Sequence, residues 1–374
     1  MRFSKSLFVA FAGLGLFACS NEDVTNNAIE GDAVVAVKIQ DPAMSRNIAA
    51  DAWGTTEVKL ESVKLVLTAQ TGGDTKTFQA SSYDTRQALL DAVNKHQFEG
   101  VRNPSKMEVF INTEKSSGWE LSEIVNKGLA EPLYASAAAN QFTGGTDTDG
   151  DGIKEYTVSL TPEHTVARLE FGGIKHIHTA SKPCMFKTIN IDGLFLNKIA
   201  GTTEPSDWAT AQTNIPAHSK IGESGEDFMA EAGTKTWPAE STNCYGYNII
   251  PVTSGQLPVL TVCFSNIELS DAQTQAGTIW GNTDKKGYAT VKNYKLDLSG
   301  VSETETQNAY KTAFGVGDNG NITKFPAGYI YQVKSLEIPD EAIGTTITGA
   351  EDVHIIADIT VKEWTVVEGT VEWN

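Results

Sequence analysis

Asp147-Thr-Asp149-Gly-Asp151-Gly152 sets three carboxylates at positions 1, 3 and 5 of a tight loop, with glycine at 6. Calcium takes converging hard oxygen ligands in this pattern. Position 12 of such a loop needs a bidentate glutamate, and Val158 stands there. Glu155 could serve only through a different geometry. Asp-Gly is also the signature of a hairpin turn whose acids face water. His176-Ile177-His178 offers two imidazoles on one face of a strand, because strand side chains alternate. No third ligand is nearby in sequence, so the pair reads as two surface histidines. Gly315-Val-Gly317-Asp-Asn-Gly320 has the GxGxxG spacing, which in a dinucleotide site needs a strand before it and a helix after it. Asn321 to Pro326 does not read as that helix, so the segment is taken as a loop. There is no GxSxG elbow, P-loop or HExxH, and the acids are too scattered to pick out a glycosidase pair. The chain reads as a non-enzyme, with no cofactor other than the calcium alternative.

A different chemistry sits at the front. Arg2 and Lys5 precede an apolar run from Leu7 to Phe17, too short to span a membrane as a mature helix. Residues 1–18 are a signal peptide. The run ends Leu16-Phe17-Ala18-Cys19, a small residue before a thiol that can be lipidated, so Cys19 is the expected acyl anchor. Cys184, Cys244 and Cys263 remain. In an oxidising compartment one pair could bond, or all three could be buried thiols. No Cys/His spacing suggests zinc. Arginine is scarce, and Arg46 lies in the small, polar stretch Ser45-Arg46-Asn47, where a protease reaches backbone. The bond between Arg46 and Asn47 is either a cleavage point or ordinary loop. With a net charge of −18, the chain repels nucleic acid and anionic head groups.

The elements that position these residues are mostly strands. Ala33, Val35, Val37 and Ile39 share one face of a short strand. Val58 to Leu67 alternates with a slip at Ser62, read as a bulge. Thr85 to Phe98 reads as a helix capped by Asp84, with Ala88, Leu89, Ala92 and Val93 inward, and Leu121 to Leu129 as a second, shorter one. Met107–Ile111, Tyr156–Leu160 and Ala167–Phe171 alternate, and Gly172-Gly173 marks a boundary nearby. Further strands are expected at 186–191, 194–196, 245–251, 258–264, 288–296 and 329–338, and along 353–361. Many short strands between polar loops argue for a mainly β chain of β-sandwiches with a few short helices. The tail from Val366 alternates again, with Val367, Val371 and Trp373 on one side. A domain ending in such a strand has made an edge that recruits other chains, unless the strand closes its own sheet.

Several stretches together resemble the fimbrillins, the pilus subunits of Bacteroidales. They include the Cys19 lipobox, Val166–Phe171, Phe186–Ile191, Cys244–Pro251, Gly287–Tyr294, Pro326–Val333 and the closing Val371-Glu-Trp-Asn374. The acids Glu22 and Asp23 after Cys19 are similar to a surface-export signal of Bacteroidetes lipoproteins. The resemblance implies two tandem transthyretin-like β-sandwich domains, at 47–178 and 179–364. Before them it implies a lipidated pro-segment, 19–46, and after them a donor strand, 365–374. It also implies an outer-membrane precursor cut after Arg46 by an Arg-specific protease. The strand carrying Ala33, Val35, Val37 and Ile39 would leave, and another copy or a related subunit would fill the slot with Val367, Val371 and Trp373, building an extracellular fimbrium. The alternative is a monomeric surface lipoprotein that binds glycans through Trp208, Trp237 and Trp280.

Overall fold

The alternation around Val35 and Val109 is realised as ladders on either side of one core. The computed structural model describes residues 32–39, 44–45, 51–52, 56–57, 60–70, 75–81, 83, 85–124, 131–147, 150–171, 174–179, 182, 184–199, 204–214, 218–220, 236–237, 243–270, 286–299, 304–333, 336–347 and 355–363. The chain is mainly β, with four short helices among the described residues.

The first body runs β1 (Asp32–Ile39), the two-residue strands β2 (Met44–Ser45), β3 (Asp51–Ala52) and β4 (Thr56–Glu57), of which β3 joins the sheet of the second body, then β5 (Ser62–Ala69) and β6 (Lys76–Ser81). Helix α1 (Arg86–Asn94), β7 (Gln97–Arg102), β8 (Pro104–Ile111), the single turn α2 (Leu121–Ile124), β9 (Leu133–Ala138), β10 (Thr143–Thr146), β11 (Lys154–Leu160) and β12 (Glu163–His164) follow. One sheet has the order β10-β11-β1-β7 and a second the order β12-β9-β8-β5-β6. Both sheets and α1 feed one apolar core, which includes Val35, Val37, Leu65, Val93, Val109 and Val158.

Local sequence explains most of these bounds and corrects three expectations. The slip at Ser62 is where β5 begins, not a bulge. There Asn112, in the left-handed region at φ 57, accepts the Glu61 and Ser62 amides on its side-chain oxygen. Helix α1 is capped by Thr85, whose hydroxyl accepts the Ala88 N–H at 3.1 Å; Asp84 lies outside the described residues. The helix stops at Asn94, and Phe98 belongs to β7, a strand the periodicity hid. Phe98 and Val101 are both buried, with Glu99 and Gly100 (φ 58) between them as an irregularity that breaks the period of two.

The second body holds β13 (Ala167–Phe171), β14 (Ile174–Ile177), β15 (Phe186–Asn197), α3 (Trp208–Asn214), β16 (His218–Lys220), β17 (Thr236–Trp237), β18 (Asn243–Ile249) and β19 (Val259–Leu269). It ends with β20 (Gly287–Leu296), α4 (Thr304–Phe314), β21 (Tyr329–Val333), β22 (Leu336–Pro339) and β23 (Ile355–Glu363). The order is β16-β15-β19-β20-β23-β21-β13-β18-β3, with β17-β14-β22 as a separate small sheet. Strand β23 joins two ladders. Its first half runs parallel to β20 from Ile355 to Ile359, and its second half antiparallel to β21 from Thr360 to Glu363. The two strands expected at 186–191 and 194–196 are one, because register shifts against β19 absorb the irregular residues.

The cores do not part at the expected boundary of 178 and 179. Strand β12 pairs with β9 in the first body, and β13 pairs with β18 and β21 in the second. Val166, Leu169 and Phe171 belong to the second core, as do Leu121 and Ile124 of α2. At this crossing the polar face of β13 is buried too. Arg168 and Glu170 are both 0% exposed. The Arg168 Nε lies 2.9 Å from Glu170 and its Nη1 3.6 Å from Glu131, which sits 3.1 Å from the His164 ring. Gln332 donates to the second Glu170 oxygen at 2.8 Å. Gly246 lies beneath the Arg168 guanidinium, where any Cβ would collide with it.

Candidate functional site

The strongest candidate is the place that β1 occupies. It is an interior strand, parallel to β11 (Ala33 opposite Lys154 to Ile39 opposite Leu160) and antiparallel to β7. Ala33, Val35 and Val37 are fully buried and Ile39 nearly so, while Lys38 on the other face is exposed. Below them lie α1 and the inward residues of β5 and β8. The strand ends where Asn94, the last residue of α1, accepts the Ile39 N–H at 2.8 Å. Without β1, the facing edges of β7 and β11 would each carry unpaired N–H and C=O groups above an open apolar trench. Refilling it with three large aliphatic side chains, at roughly 1.5–3 kcal/mol each, is worth about 5–9 kcal/mol before entropy.

Arg46 and Asn47 lie outside the described residues. Among the described residues on either side, β2 pairs with β4, and β3 with the start of β18, each over two residues. Cys19 also lies outside them, as do Val367, Val371 and Trp373. Strand β23 stops at Glu363, and its two ladders make it part of this chain's own second body.

The Asp147 loop joins β10 to β11 as a hairpin. Asp147 accepts the Gly150 and Gly152 amides, one on each carboxylate oxygen, at 2.7 and 2.8 Å, and Asp151 accepts the Ile153 amide. Asp149 is outside the described residues. The Gly315–Gly320 segment is a loop after α4, with Gly315 in the left-handed region at φ 60 ending that helix. The sequence hid α4 and α3, because their stripes hold few apolar residues.

The two histidines are not a surface pair. His176 is 1% exposed and places Nε2 2.5 Å from Asp340 Oδ1; His178 Nδ1 is 3.0 Å from Oδ2. Met185 donates its amide to the same Oδ2 at 2.9 Å. Burial alone would raise the Asp340 carboxyl. The His176 hydrogen bond, the Met185 amide and His178 together outweigh it and hold the group below its ordinary value. Asp340 is 164 residues from His176, so no local spacing could have announced the contact.

Trp208 is not an exposed sugar platform. It is 2% exposed and stacks on Phe195, with ring centroids 6.0 Å apart. Trp280 lies outside the described residues, and the side chain of Trp237 does as well. Cys184 and Cys263 are free thiols, and burial pushes the Cys263 thiol well up, away from reactivity.

No family model matches the sequence, and no curated protein does. The structural neighbours are fimbrillins of Bacteroidales and putative cell adhesion proteins. A putative cell adhesion protein from Parabacteroides distasonis is similar at 10% identity and a TM-score of 0.48, over 90% of this chain and 100% of that one. One from Bacteroides eggerthii is similar at 11% identity and a TM-score of 0.47, over 91% and 98%. A fimbrilin (FimA) from Porphyromonas gingivalis is similar at 13% identity and a TM-score of 0.45, over 90% and 98%.

Proposed function

We propose that this chain is a structural subunit of a surface pilus, polymerising by strand exchange that proteolysis triggers. The observation that carries the reading is the position of β1, an interior strand with its whole inward face buried, lying before a candidate cleavage point. In this reading Cys19 carries lipid and tethers the precursor to the outer membrane. An Arg-specific protease cuts between Arg46 and Asn47. The segment 19–46 departs with β1, and the slot between β7 and β11 is exposed. The tail of another copy, with Val367, Val371 and Trp373 inward, completes the sheet by β-augmentation. A head-to-tail contact of this kind need not close on itself, and where it does not it gives a filament.

The test is limited digestion of the precursor with an Arg-specific protease. The reading expects a mature N-terminus at Asn47, loss of the segment carrying β1, and then polymer. The Arg46→Ala precursor should stay a folded monomer. Polymer formed by Arg46→Ala, or a cut chain that keeps β1 and stays monomeric at high concentration, would overturn it.

A further inference from the structure

We propose that His178, Cys184 and Asp340 form a zinc site, with His176 as the residue that positions Asp340. The three side chains come from three places: the end of β14, the approach to β15, and the 3-10 turn Asp340–Ala342 after β22. Their ligand atoms all lie within 4.8 Å of one another. Four-coordinate zinc, with bonds of about 2.0–2.3 Å, places its ligand atoms roughly 3.3–3.8 Å apart. Rotations of half-buried His178 and Cys184 cover the difference, while Asp340 stays where its neighbours hold it.

The donor set selects the ion. Thiolate and imidazole suit zinc or cobalt and do not suit calcium or magnesium, which take oxygen. The carboxylate is already oriented as such a site requires. An ionised carboxylate only accepts, so the buried His176 Nε2–H donates to Oδ1 from behind and leaves Oδ2 facing His178. A ring that fixes a ligating carboxylate from behind is a recurrent outer contact of zinc centres. Cys184 now donates its thiol hydrogen to the Phe186 carbonyl at 3.0 Å. On binding, the S–H bond breaks, the proton passes to solvent, and sulfur bonds the metal; His178 gives up its Nδ1–H contact with Asp340, its ring proton shifting through solvent to Nε2, so that Nδ1 can bond the metal. Three protein ligands leave a fourth position for water or for a ligand from outside. The ion would tie the crossover before β15 to the turn after β22.

The experiment is titration of the full chain with zinc against a chromogenic chelator, and with cobalt as a spectroscopic stand-in. One equivalent of zinc and a near-ultraviolet thiolate-to-cobalt band are expected. Cys184→Ser should abolish the band, and Cys263→Ser should keep it. His178→Ala and Asp340→Asn should each weaken zinc binding roughly tenfold or more, and His176→Phe by about 10–100-fold with the thiolate band retained. If Asp340→Asn does not fold, Cys184→Ser at the half-buried position still decides the matter. Binding of equal strength in Cys184→Ser, or no binding at micromolar free zinc, would overturn the site. Neither result bears on whether β1 leaves its slot.

Discussion

Arg168 occupies a legible strand position in surroundings that the strand pattern does not announce. Alternation puts it on the face opposite Ala167, Leu169 and Phe171, the face that meets water in a half-buried strand. Instead it lies where the chain crosses from one core to the other, between Glu131 and Glu170, with Gly246 leaving room for the guanidinium. Truncating one member of a buried charge cluster strands the others, so Arg168→Met should cost about 3–5 kcal/mol in chemical denaturation. Gly246→Ala should destabilise in the same direction, because the added methyl displaces the guanidinium; a loss near zero for both would mean the cluster is solvated. Asp340 carries the pH prediction. Its folded-state pKa lies below the unfolded value near 3.8. It therefore contributes stability that is present above about pH 4 and is lost as pH falls through the folded value. Asp340→Asn should flatten that acid limb of a stability-versus-pH curve, while a limb as steep as the parent's would place the sensitivity elsewhere. Neither feature was legible in the sequence. Glu131 precedes Arg168 by a whole hairpin, and Asp340 is 164 residues from its partner His176. Pairings this distant are set by topology, which leaves no local spacing to read.

At the scale of elements, period-two patterns were the reliable signal. Val35 and Val37, Val63 and Leu65, and Met107 and Val109 are all fully buried, as alternation predicts. What was lost is instructive. Strand β7 has only two inward apolar residues, split by an irregularity at Gly100, and the helical stripe before it ran on to Phe98. Yet β7 is one wall of the slot. The slot predicts a pattern in amide exchange. In the precursor, the β7 and β11 amides facing β1 should be protected. Release of the leader should cost them that protection, and polymerisation should return it. Amides that stay protected throughout would mean that the sheet closes without a replacement strand. Trp208 gives an element-scale control: Trp208→Ala should lower stability by about 3–5 kcal/mol, as for any buried aromatic, as measured by denaturant unfolding.

For the whole molecule, composition and strand count were enough to set the class, mainly β with few helices. The boundary between cores was not, because the double glycine at 172–173 marked a turn while the packing changes earlier, at Val166. A chain ending at Trp364 keeps the whole of β23, so it should still unfold in one cooperative thermal transition. After protease treatment it should form no filament by electron microscopy. Undiminished filaments from that chain would remove the tail from the assembly mechanism.

Strand β23 lies between β20 and β21 and is bonded to both, parallel to one and antiparallel to the other. If the residues beyond it are gripped by a neighbour, traction on the C-terminus is directed along this strand. Such a pull shears two ladders at once instead of unzipping one rung after another. A fibre made of such units would pass tension through the interior of each second body, and single-molecule stretching should find that body yielding only at high force.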